Sequence, residues 1–243
     1  MRFDLHIHSC LSPCASLEMS PCAIARIARQ KGIDGIAISD HNTARNAPAF
    51  AECCRRAGVA ALYGLEVCSA EEVHLLTIFD TVEQALAMTD WVRDGLVKRV
   101  NQPEVFGDQP IVNADNEIIE MESLMLAMPT KLTIYEIGEK AHSLNGLFVA
   151  SHIDRTYSSV FSQLGVLSGK EGLDAMELSR TANLDEWRER TEGYALVRSS
   201  DSHNLDDVGL VWTEADMREF SVTELRRVFH EKATALSPRI SSF

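Results

Sequence analysis

Short apolar, β-rich runs alternate with amphipathic stretches along most of the chain. Runs at Phe3–Ile7, Gly35–Ser39, Ala60–Leu65, Val73–Phe79, Leu147–Ala150, Ala175–Leu178 and Ala195–Ser199 predict seven strands. Helical patterns lie between them. Pro21–Lys31 is closed by Gly32 and Asn46–Ala57 by Gly58, where glycine permits the left-handed turn that ends a helix. The capping box Thr133-Ile-Tyr-Glu136 opens another helix that runs to Gly146 with Ile134, Ile137 and Ala141 on its apolar face. A polar helix is expected over Glu224–Ala235. Strands alternating with helices imply an α/β fold, a parallel sheet with crossover helices rather than a sandwich.

The rhythm breaks over Val100–Lys131, where glycine, prolines and short alternating pieces suggest a hairpin. This segment, about residues 100–131, is read as an insertion in a single domain covering residues 1–243, since no linker or repeat divides the chain. In a barrel of parallel strands the loops after the strands build the active site. The insertion, with Phe106, Ile111 and Ile118, is therefore expected to cover the pocket as a partial lid.

With 243 residues and 45% hydrophobic composition, the chain can bury a sizeable core. The formal charge of −13 opposes binding of long nucleic acid, although carboxylates holding divalent cations would cancel part of it. The N-terminal residues lack the apolar stretch of a signal peptide, and no apolar run approaches the ~20 residues of a membrane span. A cytoplasmic protein with no membrane partner is expected. Its six cysteines, Cys10, Cys14, Cys22, Cys53, Cys54 and Cys68, contain no C-x-x-C pair and are expected to be reduced.

The chemistry gathers where the strands end. His6 and His8, two residues apart on an extended strand, project to one side and can share a metal. The second strand runs into Asp40-His41, and the third ends in Gly64-Leu-Glu66, a carboxylate placed to bridge two cations. His74 interrupts an apolar run, His152 follows the Leu147 strand, and Asp201-Ser-His203 follows the Ala195 strand. Any one of these is ordinarily a buried histidine or a helix cap, but six of eight histidines repeating the placement points to a metal cluster. His142 and His230, on helices, are assigned to the surface.

DLHIHS, AISDHNT, GLE, VHLLTIF, ASHID and SSDSH, in this order, resemble the PHP (polymerase and histidinol phosphatase) phosphoesterases over nearly the whole chain outside the insertion. The resemblance implies a distorted (β/α)7 TIM-like barrel that hydrolyses phosphoesters with two or three divalent metal ions. It assigns one metal to His6, His8, Glu66 and Asp201, a second to Glu66, His74 and His152, and a third to His41 and His203. Where some relatives complete the third site with a histidine or aspartate, this chain offers Cys14. As a thiolate ligand Cys14 would favour zinc or iron over manganese; otherwise it is a loop cysteine. The spacing of Cys10, Cys14 and Cys22 fits no common iron–sulfur run.

Cations bridged by Glu66 would lower the pKa of a shared water from about 16 towards about 7 and supply a metal-activated hydroxide as nucleophile. Asp40 or His203 would assist proton transfer. Arg155 and, less strongly, Arg180 are candidates to grip the substrate phosphate, with surface ion pairing as the plain alternative. Glu177 is expected to orient a metal-bound histidine. The expected substrate is a small phosphomonoester such as a nucleotide, a nucleoside bisphosphate or histidinol phosphate. The alternatives are an exonuclease on short oligonucleotides and a catalytically silent metal-binding module.

Overall fold

The computed structural model describes residues 1–240. In chain order the elements are β1 (Arg2–Ile7), α1 (Pro21–Gln30), β2 (Gly35–His41), α2 (Ala47–Ala57), β3 (Ala60–Cys68), β4 (His74–Phe79) and α3 (Val82–Gly95). The insertion holds α4 (Pro103–Phe106), β5 (Pro110–Val112) and β6 (Ile118–Met121). There follow α5 (Ile134–Ser143), β7 (Leu147–Ala150), α6 (Val160–Leu164), β8 (Ala175–Leu178), α7 (Leu184–Trp187) and β9 (Ala195–Arg198). The chain ends with β10 (Thr213–Ala215), α8 (Val222–His230) and β11 (Thr234–Leu236). No helix among the described residues is long and apolar enough to cross a membrane.

Nine strands form one sheet in the order β11-β10-β1-β2-β3-β4-β7-β8-β9. The sheet curls until its ends nearly meet. Thr234 Oγ1 on β11 donates to the Leu196 carbonyl on β9 at 2.7 Å, and beyond β1 a parallel bridge joins Ile7 to Ser202. The result is an α/β barrel containing all seven expected strands. It is not wholly parallel: β4 runs antiparallel to both β3 and β7. This reversal places His74, the first residue of β4, at the end where the other strands finish, and pairs it with Cys68 at the end of β3. The approach of β3 to β4 requires Gly64, where a Cβ would lie 2.3 Å from the Thr77 carbonyl oxygen.

The expected helix stops hold at Gly32 and Gly58, with φ of +70° and +68°. Thr133 and Glu136 form both arms of their capping box. The last helix does not reach Ala235. It ends at His230, Lys232 takes φ 51°, and Thr234–Leu236 pairs with β10, because those backbone groups complete the sheet next to β9. The cysteines are not all reduced: Cys22 and Cys53 form a disulfide with Cα atoms 4.8 Å apart. One lies in the first turn of α1 and the other in α2, and the side-by-side packing of these helices brings them together across 31 residues of sequence.

Along the strands the residue type changes from one end of the barrel to the other. Leu62 and Glu66 in β3, Leu76 and His74 in β4, and Ala175 and Glu177 in β8 share a face with their partner on the same strand. The apolar members join Phe3, Val149 and Val197 in a buried cluster against Val222, Leu225, Val228 and Phe229 of α8. The polar members gather at the opposite end.

The insertion docks beside that end. Leu11, Ile111 and Leu126 form a small buried cluster, and Asn42 Nδ2 donates to the Leu126 and Met128 carbonyls at 2.7 and 2.9 Å. Among the described residues none of its hydrogen bonds reaches a histidine of the cluster. Of the three expected lid residues, Ile111 is buried, Phe106 is half-buried under Arg99, and Ile118 is exposed. The segment thus braces the loops after β1 and β2.

Candidate metal centre

Glu66 is the hub of the polar end. The register of β2 and β3 sets His41 opposite it, and its side chain is 1% exposed. Its Oε1 lies 3.1 Å from His74 Nδ1, 3.1 Å from His152 Nε2 and 3.3 Å from His6 Nε2. Its Oε2 lies 3.1 Å from His41 Nδ1 and 3.5 Å from His8 Nε2. Asp201 Oδ1 closes the arrangement at 3.4 Å from His6 Nε2 and 3.3 Å from His8 Nε2. Three donor sets each gather ligand atoms within 4.8 Å: His6, His8 and Asp201; His41, Glu66 and His74; His8, His41 and His203.

The ring nitrogens facing away from this centre fix what faces into it. His6 Nδ1 lies 3.0 Å from Glu177 Oε1 and can only donate there, which leaves Nε2 as the nitrogen a cation can take once it gives up its proton. His8 Nδ1 likewise donates to Ser12 Oγ at 3.0 Å, and His203 Nδ1 to the Asp201 carbonyl at 2.9 Å. His6 Nε2 and His8 Nε2 then face each other 3.1 Å apart, both buried. A shared cation suits that pairing, as it suits imidazoles and carboxylates together. The donor set therefore fits divalent metal.

Electrostatics agree. Burial alone would raise Glu66, but the imidazoles of His74 and His6 hold it well below the usual carboxylate range. Asp201 is lowered in the same way by His6 and His8 against its burial. Burial lowers the histidines, yet Glu177, Glu66 and Asp201 raise His6 well above its ordinary value, and Glu66 raises His74 to about 10. His8 is lowered by burial and by His203. The backbone is strained at two of these positions, with φ of 27° at His152 and 48° at Asp201.

Other expected residues separate into those at the cluster and those elsewhere. Cys14 Sγ lies 3.1 Å from His203 Nε2. Arg155 Nη2 bonds Asp201 Oδ2 at the rim. Arg180 instead pairs with Asp207 at 2.6 Å, on the side of the plain alternative. Asp40, expected to assist proton transfer, is enclosed by hydrogen-bond donors. Its oxygens accept from Ser9 N, Ser9 Oγ and Ser12 Oγ, each at 2.7 Å, and it is fully buried. Asp40 holds Ser12, which holds His8 and accepts from His41 N at 3.2 Å. Sequence reasoning missed Ser9, Ser12 and Asn46, whose Nδ2 donates to Ser9 Oγ at 2.9 Å and whose Oδ1 takes Val112 N from the insertion. Only the polar HSCLSPCAS loop hinted at them. His142 pairs with Asp174 at 3.0 Å and His230 is exposed, both away from the centre.

The family model of the PHP domain matches residues 4–186, and that of the PHP-associated segment matches residues 190–234. No curated protein sequence matches the chain. Among solved structures, the lesion-specific endonuclease PfuEndoQ of Pyrococcus furiosus aligns with a TM-score of 0.73 at 21% identity, over 97% of this chain and 57% of that one. Endonuclease Q in complex with a 27-mer duplex carrying an abasic lesion at its active site gives 0.66 at 20% identity, over 93% and 55%. A protein of Bifidobacterium adolescentis described as a metal-dependent phosphoesterase gives 0.61 at 15% identity, over 95% and 96%. The chain thus spans little more than half the length of the endonuclease Q structures, and these likenesses are of fold.

Proposed function

The chain belongs to the PHP domain family of metal-dependent phosphoesterases, and from that premise we propose that it hydrolyses a small phosphomonoester at the Glu66 cluster. The observation that carries this reading is the division of Glu66, with one oxygen turned to His6, His74 and His152 and the other to His8 and His41. Glu66 so placed would help to hold more than one cation, together with the histidines beside each of its oxygens. Two or three divalent ions, of zinc, manganese or iron, would supply Lewis acidity towards the phosphoryl oxygens and lower the pKa of water at the site.

The chain's own residues do the rest. Glu177 and Ser12 hold the His6 and His8 tautomers that point Nε2 inward. Arg155 presents a guanidinium at the rim, where it can fork onto phosphate oxygens. His203, more exposed than His6 or His8, offers Nε2 beside Cys14 Sγ, either to a third cation or to hold a proton for the leaving oxygen. The charge of −13 favours a compact substrate over an extended polyanion.

A second reading, cleavage of damaged DNA, draws on the fold likeness to endonuclease Q over 97% of the chain. One assay separates the two. Protein stripped of metal is given manganese, zinc or iron and tested on phosphorylated metabolites, on single-stranded oligonucleotides of increasing length, and on duplex DNA with an abasic site. Phosphate release that is fastest on small monoesters supports the first reading. Strand cleavage at the lesion that outpaces monoester hydrolysis replaces it with the second, and no turnover with any metal leaves a silent metal-binding module.

A further inference from the structure

Two apolar side chains stand exposed on loops that leave the cluster end of the barrel, and none of the roles above uses them. Tyr157, in the loop after β7, is 62% exposed, and Leu17, in the loop after β1, is 58% exposed. A single exposed apolar residue is ordinary on a protein surface. These two differ because the backbone beside each is tied to a histidine of the cluster. The Ser158 carbonyl accepts from His74 N at 2.9 Å, with Ser158 itself at φ 54°, and Ser159 Oγ donates to the Arg155 carbonyl at 2.8 Å. On the other loop, Ser16 N donates to the His203 carbonyl at 2.9 Å. Most other large exposed apolar side chains, such as Val105 and Ile119, lie on the insertion.

Tyr157 also has a fixed neighbour. The Arg155 guanidinium carbon lies 6.0 Å from the centre of its ring, a cation–π arrangement that keeps the ring beside the group assigned to phosphate. That spacing is of the order separating the phosphate of a nucleotide from its base.

We propose that Tyr157 is the apolar rim on which a flat heterocycle of the substrate packs, so that the substrate class is a nucleoside phosphate rather than a sugar phosphate. This rests on the phosphomonoester reading and adds its specificity determinant. Any base offers a π face to a tyrosine ring, so the rim selects for a base without choosing among bases. Arg155 and the cations then take the phosphate while Tyr157 takes the ring.

The test compares a nucleoside 5′-monophosphate with ribose 5-phosphate, which carries the same sugar and phosphate without the base. With cations restored, kcat/KM is measured for both on the wild type, Tyr157→Ala and Tyr157→Phe, and equilibrium binding of both is measured by calorimetry. Tyr157→Ala should lower kcat/KM for the nucleotide about tenfold or more, mainly through KM, and leave ribose 5-phosphate unchanged. Tyr157→Phe keeps the ring and should retain the preference. Equal loss on both substrates, or no loss on either, overturns the assignment. If the wild type hydrolyses neither compound, the phosphomonoester reading fails. The calorimetry then decides alone: a base-dependent affinity that Tyr157→Ala abolishes upholds the rim, and equal affinities overturn it.

Discussion

Glu66 and Glu122 are glutamates with side chains only 1% exposed, and both are held below the usual carboxylate range, yet their surroundings teach opposite lessons. Glu122, in the insertion, meets Arg93 Nη1 at 2.6 Å and Arg45 Nη1 at 3.3 Å and accepts from Leu124 N at 2.9 Å. Its partners carry their charge at every accessible pH, so the carboxylate is satisfied as it stands. Glu66 is surrounded by five imidazoles, which can give up their protons and offer lone pairs instead. Burial of a carboxylate therefore does not mark a reactive centre. What marks it is a partner set whose protons a cation can replace.

The sharpest way to break this contrast is Glu66→Gln, which keeps the side-chain size and removes the charge. Hydrolysis should fall by roughly 10²–10³-fold or more with the fold retained, and the melting temperature should drop modestly, because the imidazoles that hold the anion below its usual range lose their partner. Rates near wild type at limiting cation would end the bridging assignment.

The disulfide tests whether the flank formed by α1 and α2 belongs with the braced region or with the cluster. It joins residues 31 apart, and replacing both Cys22 and Cys53 by serine should cost about 2–4 kcal/mol in urea unfolding. Reductant should lower the wild type to the same value, with hydrolysis retained. A midpoint indifferent to reductant would mean that the link contributes nothing.

A third measurement sharpens the contrast through pH. Without cation, His74 is raised to about 10 and is protonated at neutral pH, and His6, raised above its ordinary value by Glu177, Glu66 and Asp201 against its burial, holds its proton more tightly than a free imidazole. A cation must displace those protons. Its affinity should therefore rise with pH, by about tenfold per unit for each proton displaced, in chelator competition between pH 6 and 8. Affinity that is flat across this range would show that the sites are already deprotonated.

The cluster was legible because its information is local. The two-residue spacing of His6 and His8 and the positions of Glu66, His152 and Asp201 just past apolar runs follow from strand periodicity. The seven strands were legible for the same reason. What stayed hidden depends on contacts distant in sequence. The reversal of β4 rests on pairing with β3 and β7, and the shortening of the last helix rests on β11 meeting β10 and β9. The enclosure of Asp40 by Ser9 and Ser12 and the pairing of Arg180 with Asp207 are likewise contacts between residues distant in sequence. Cys22 and Cys53 likewise gave no local sign of meeting.

The smallest expected effect completes the comparison from the other side. Glu122→Gln removes the charge that Arg93 and Arg45 share, but their side chains are 39% and 28% exposed, so water can hydrate both guanidiniums once the carboxylate is gone. The loss is then one charge-assisted bond in a half-screened setting, about 1–2 kcal/mol, well short of stranding a fully buried ion. The Gln side-chain oxygen can still accept from Leu124 N, so the hairpin β5–β6 should stay in place. Hydrolysis should remain close to wild type, because the other hydrogen bonds of the insertion to the loop after β2, through Asn42, Asn46 and the Arg45–Glu120 pair, do not depend on Glu122. Unfolding in urea and kcat/KM on the same preparation decide the matter. If Glu122→Gln lost activity on the scale of Glu66→Gln while remaining folded, the division between a bracing carboxylate and a cation-binding one would fail.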